Sequence, residues 1–183
     1  MPRIPYPDMD ALPELVRKRL AAVPLNVVRI CAHASEPLFD AQGRLGAGIA
    51  DPAVLEPRLR EAVILRVARL SNSAYELHHH VPLGRAAGLT EEELDALAAQ
   101  DYAALNPLLA AAARFTDEVV TQLSPSDDTL AALRAQVSNQ VLVNIVLTIG
   151  CYMSIARLIA VTGIELDADP LARLPDRLED SPA

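Results

Sequence analysis

The sequence has no tryptophan, only four tyrosines and two phenylalanines, and just two cysteines in 183 residues. With aromatics at 3 %, its 51 % hydrophobic content is carried largely by Ala and Leu, which lose little side-chain entropy in a helix. That composition favours helices over a β-sandwich. Cys31 and Cys151 stand far apart in sequence, in no C-x-x-C or metal-ligand spacing, which excludes a disulfide framework and suggests no zinc site. A reducing compartment fits. Basic residues are also in deficit, 16 against 24 acidic ones for a net charge of −8. A phosphate backbone would be repelled on average, and no Lys/Arg cluster with interleaved aromatics offsets this, so nucleic acid is set aside. The N-terminus has no apolar core of the signal-peptide kind, and a cytoplasmic location is expected. The longest apolar stretch, residues 141–161, is interrupted by Asn144, Thr148 and Arg157. It reads as a buried helix of a soluble protein, because an unpaired arginine inside a membrane is costly.

What is present is helical periodicity. The length suits one domain, 1–183, with a core at about 50–163. Pro2, Pro5, Pro7 and Pro13 keep residues 1–13 extended. Helical pattern starts near Glu14, and a second apolar segment at 25–34 is closed by Pro37. The glycines of 43–48 read as a loop, and Asp51-Pro52 has the form that starts a helix. Over 57–70, Leu59, Val63, Val67 and Leu70 repeat at helical spacing. Ser71-Asn72 breaks that helix. Ser73 reads as the N-cap of the next, with Glu76 at the capping-box position. Pro82 should kink this helix and Gly88 should end it. Thr90 to Glu93 forms a second capping box. Helices follow at 107–123, 126–137 and 138–163, and the Pro- and charge-rich tail, 167–183, is expected to be a loose arm. The last helix is apolar nearly all round, so several of its sides need cover, within the subunit or from a second one.

The break at Ser71-Asn72 turns two helices into a hairpin. Glu61 lies ten residues before it and His80 eight after, an axial offset of about 3 Å. Glu76 and His80 are i,i+4 neighbours. Two carboxylates and an imidazole are thus placed for proton transfer. Each also has an ordinary reading: Glu76 as a capping-box residue, Glu61 as a surface partner of Arg58. No recognised ligand spacing supports a metal, and none is expected.

The run from Leu59 through Glu61 to Leu70, then Tyr75-Glu76-Leu77-His78-His79-His80, then Ala87 to Glu93 resembles the carboxymuconolactone decarboxylase and alkylhydroperoxidase D family. The resemblance is close over about 57–100 and looser at Gly150-Cys151-Tyr152. It implies an all-α helical bundle and a homo-oligomer. The peroxidase branch has the pattern Glu-x11-Cys-x2-Cys-x3-His. Here Glu61 and His80 keep their places while Ser73 and Glu76 stand where the two cysteines would be. A serine and a glutamate have no thiolate chemistry. The decarboxylase branch is similar in having Glu-Leu-x-x-His, which Glu76 to His80 matches. The resemblance therefore implies His80 as proton donor or acceptor, with Glu76 or Glu61 orienting it, and no cofactor. The expected substrate is a small carboxylated lactone or enolisable acid. Its charge would need a local cation, for which Arg58, Arg66 and Arg85 are nearest in sequence, with Tyr75 and Ser73 beside them. A peroxidase using Cys31 or Cys151, and a non-catalytic oligomeric binding protein, are the alternatives.

Overall fold

A computed structural model describes residues 2–168, and among them every regular element is a helix. Nine α-helices follow in order: α1 Glu14–Ala22, α2 Asn26–Cys31, α3 Glu36–Ala50, α4 Pro57–Leu70, α5 Ala74–Ala86, α6 Glu91–Ala99, α7 Pro107–Gln122, α8 Asp127–Arg134 and α9 Asn139–Thr162. The all-α expectation holds.

The bundle is built around α4. Pro57 occupies its first turn, where a missing N–H costs nothing, and the Glu56 side chain accepts from the N–H groups of Arg58 and Leu59 at 3.0 and 2.8 Å. Its sides are covered by α5, α6, α7 and α9, so Leu59, Ala62, Val63, Ile64, Leu65, Val67 and Ala68 are all buried. Each such large aliphatic contributes about 1.5–3 kcal/mol by leaving water. Phe115 of α7, Leu133 of α8 and Ile145 and Ile149 of α9 complete this core.

Most boundaries follow the sequence cues. Ser73, Ser126 and Ser138 cap α5, α8 and α9 with their side chains. Thr90 and Glu93 form the full reciprocal box on α6. Gly163 ends α9 at φ 64°, in the left-handed region that glycine enters without strain.

Two expectations fail, and the bound of a third moves. Residues 43–48 are not a loop, because α3 runs unbroken to Ala50. Pro37 sits in the first turn of α3 and so opens it, and packing on α1 and α9 offsets the poor helix propensity of the glycines. Asp51-Pro52 starts no helix. Asp51 instead accepts from Ala53 N at 2.9 Å in a turn, and α4 begins at Pro57. The third concerns the arm set at 167–183. Its first residue, Asp167, is 4 % exposed and hydrogen-bonded, as described below. Residues 169–183 lie outside the described range.

The N-terminal segment is extended apart from a short 3₁₀ turn at Met9–Ala11. It lies across the end of α9, with Arg3 N donating to Thr162 O at 2.7 Å. By length and composition α9 is able to cross a membrane. In this fold it packs against α2, α3, α4, α7 and α8, while Val143, Val146, Leu147 and Val161 remain exposed.

Candidate acid/base site

The α4–α5 hairpin brings together what the register suggests. His80 Nδ1 lies 2.7 Å from Glu61 Oε2, and His80 Nε2 lies 3.5 Å from Glu76 Oε2. The Ser73 side chain accepts from Glu76 N at 3.4 Å. Only half of a capping box forms there, because the Glu76 carboxylate turns toward His80. Glu61 is not a surface partner of Arg58. It is 2 % exposed, and its other oxygen accepts from Arg60 Nε at 3.0 Å. Arg60 in turn donates from Nη1 to the carbonyl of Ala50, the last residue of α3, at 2.8 Å. From α9, the Tyr152 ring meets the His80 ring edge-on at 5.0 Å.

Electrostatics divide the two carboxyls. Burial alone would raise Glu61, but the His80 charge and hydrogen bond, with Arg60, outweigh it and hold the carboxyl below its ordinary 4.5. Burial raises Glu76 above the same value, against the pull of His80 and with the help of the Glu61 charge. For His80, burial favours the neutral ring, yet Glu61 and then Glu76 prevail and raise it above 6.5. These shifts favour charge on Glu61 and His80 and retention of the proton on Glu76. Two carboxyls of one residue type are thus shifted in opposite directions.

The remaining residues singled out in the sequence lie elsewhere. Tyr75 points away from His80: its hydroxyl donates to Asp167 and accepts from Val27 N at 3.2 Å. His79 Nε2 lies 3.1 Å from the same Asp167 carboxylate, and His78 Nε2 lies 2.9 Å from the Asp167 carbonyl. Asn26 N donates to Asp167 Oδ1 at 3.1 Å, so this cluster ties α2 and the chain beyond α9 to the back of α5. Arg66 is 1 % exposed and is held by Asp117, with Nε and Nη2 at 2.9 and 2.7 Å from Oδ1, and by the Leu97 carbonyl. Arg58 is paired with Glu93 and Arg85 with Glu91. The cation that reaches the site is Arg60, which sequence reasoning passed over, as it did Tyr152. Their signal was adjacency, Arg60 to Glu61 and Tyr152 to Cys151.

Both thiols are free. Burial, with the nearby Cys151, pushes Cys31 up to about 11. Burial also raises Cys151, partly offset by a hydrogen bond from Gln42 at 3.5 Å. Among the described residues, no group of three His, Cys, Asp or Glu side chains is arranged to hold a metal ion.

Residues 36–118, from the start of α3 into α7, match the model of the carboxymuconolactone decarboxylase family. This segment belongs to that family. It contains the whole α4–α5 hairpin, and therefore Glu61, Glu76 and His80. No curated protein matches the chain. Among solved structures, an uncharacterized peroxidase-related protein from Ralstonia eutropha, described as an alkylhydroperoxidase AhpD core, superposes with a TM-score of 0.79 at 20 % identity, over 91 % of this chain and 93 % of that one. A protein of unknown function from Agrobacterium tumefaciens gives 0.67 at 22 % identity, over 75 % and 96 %. The debrominase Bmp8 gives 0.66 at 18 % identity, over 84 % and 82 %. At such identities these likenesses show the AhpD-like fold. The carboxymuconolactone decarboxylase segment supplies its central hairpin.

Proposed function

We propose that this chain is a cofactor-free acid/base enzyme acting on a small carboxylated lactone or enolisable acid. The observation that carries this is that Glu61 lies 2.7 Å from one ring nitrogen of His80 and Glu76 3.5 Å from the other, the first carboxyl held below its ordinary value and the second above it. In a decarboxylation, the bond from the substrate to its carboxylate carbon breaks. Carbon dioxide leaves, and the electron pair moves into the conjugated carbonyl as an enolate. A proton from Glu76 or His80 then forms the new C–H bond, and solvent restores it. Glu61 fixes the ring and favours its charged form, as a carboxylate behind a catalytic imidazole does.

The thiol-peroxidase reading has less support. Ser73 and Glu76 occupy the positions of the redox pair, and the two cysteines present are both pushed toward the protonated, unreactive form.

The test is a screen of the substrate class. Unsaturated lactone carboxylates and enolisable acids are incubated with the protein in D2O, and deuterium uptake or carbon dioxide loss is followed by NMR. A turned-over compound should lose about 10²- to 10⁴-fold in rate with His80→Gln and much less with His78→Gln, at unchanged melting temperature. Equal loss in both variants, or loss explained by unfolding, removes the proposal.

A further inference from the structure

A substrate anion needs a cation here, because the chain as a whole carries −8 and long-range attraction is absent. Three arginines near the hairpin are committed elsewhere, Arg66 to Asp117 and Leu97, Arg58 to Glu93, and Arg85 to Glu91. Arg60 is different. Its guanidinium is one carboxylate removed from His80, and its side chain is 15 % exposed against 2 % for Glu61, so it stands at the rim of the site.

We propose that Arg60 is the anion-recognition residue of this site, and that its ligand is a small monocarboxylate entering beneath the C-terminal end of α3. The inference rests on the acid/base reading and gives that site a substrate class. The ligand takes over the Nη1 donor now given to the Ala50 carbonyl. A carboxylate is the better acceptor for it, because charge-assisted bonds to a planar guanidinium are about twice as strong as neutral ones, and two can form in parallel.

The cover that must yield is suited to doing so. Gly43, Gly46 and Gly48 fall within the second half of α3, and the space around Gly46 and Gly48 is open. Glycine is among the poorest helix formers, and such segments open locally at low cost. The elements α3 packs against are chiefly α1 and α9. Charge also matches. Arg60 is a cation at the rim, and the shifts, Glu76 and His80 upward and Glu61 downward, favour positive over negative charge beside it. The bound anion would lie beside the Tyr152 ring and within reach of the His80–Glu76 pair.

The full chain is titrated with sodium crotonate, and with crotonamide as its neutral isostere. The readout is the ¹³C-labelled imidazole resonance of His80, assigned by its loss in His80→Gln. Crotonate should give a saturable shift, weakened at least about tenfold in Arg60→Gln, less in Arg60→Lys, and not in Arg85→Gln. Crotonamide should give none. Equal binding of the amide, or crotonate binding to Arg60→Gln within about twofold of the parent, overturns the assignment. If Arg60→Gln does not fold, Arg60→Lys and the amide decide. A resonance that crotonate never moves, while His80 still titrates above its ordinary value, rejects the anion site and leaves the acid/base reading standing.

Discussion

Glu76 is the residue at which structure and chemistry part company. A carboxyl raised by burial costs stability once it ionises, whereas the Glu61–His80 pair contributes stability only while both are charged. The signs are these. Glu61 is depressed, so its contribution is complete above about 4.5 and is lost as pH falls through its folded value. His80 is raised, so its contribution is complete below about 6.5 and is lost as pH rises through its folded value. Glu76 is raised, and an acid that binds its proton more tightly when folded loses stability as pH climbs from its unfolded to its folded value. The site should therefore be most stabilising in mildly acid solution. Glu76→Gln removes the last of these penalties and keeps the shape. It should hold or raise the melting temperature at pH 8, flatten the decline between pH 5 and 8, and still lower turnover. A melting temperature that falls at both pH values would make Glu76 a structural residue. At this scale the sequence was informative where spacing alone decides, as for Glu61 and His80 across a two-residue break. It was silent on Arg60, whose contact with Ala50 depends on how far α3 extends.

At the scale of elements, α3 carries that lesson. Capping residues, proline in first turns and apolar periodicity located α4 to α9 because those signals are local. The glycines of α3 are equally local signals, and they pointed the wrong way. Their helix is held by tertiary packing, with Phe39 and Ile49 buried, and no single-sequence pattern reports the presence of α1 and α9 on its sides. The same holds for Asp167, which sits in a charged, Pro-rich tail by composition and yet gathers Asn26, Tyr75 and His79. A helix formed against its own propensity is expected to be the least stable of the bundle. Gly46→Ala and Gly48→Ala place a methyl where no atom lies within 4 Å. Each should add about 0.5–1 kcal/mol and slow amide hydrogen exchange in α3 before that of α4. Destabilisation by either change would show that α3 needs those glycines for a packing reason.

At the scale of the whole molecule, the face of α9 turned away from the core needs an account. Val143, Val146 and Leu147 are 52, 40 and 52 % exposed, and Val161 is 63 % exposed. Gly150 and Ser154 continue the same exposed side, and Gly150 has nothing within 4 Å of a Cβ placed on it. Residues 143, 147, 150, 154, 157 and 161 recur at helical spacing, a stripe of apolar and small side chains crossed by one charged residue, Arg157, toward its C-terminal end. Small residues at its middle allow a second helix to approach closely. We propose that this stripe pairs with its counterpart on another copy of the chain, since an isologous contact satisfies one apolar helix face with another. Sedimentation at micromolar concentration should then show a dimer, or a hexamer of three such dimers if a second face joins in, whereas a trimer, which holds no twofold contact, would count against this pairing. Leu147→Glu would set like charges facing each other in an apolar contact, and it should shift the equilibrium toward monomer by at least about tenfold in Kd while leaving the His80 titration in place. A monomer in the parent protein, or an assembly that Leu147→Glu leaves intact, would rule this face out as the interface. Flotation with lipid vesicles, lost in the same variant, would assign the stripe to a membrane surface instead.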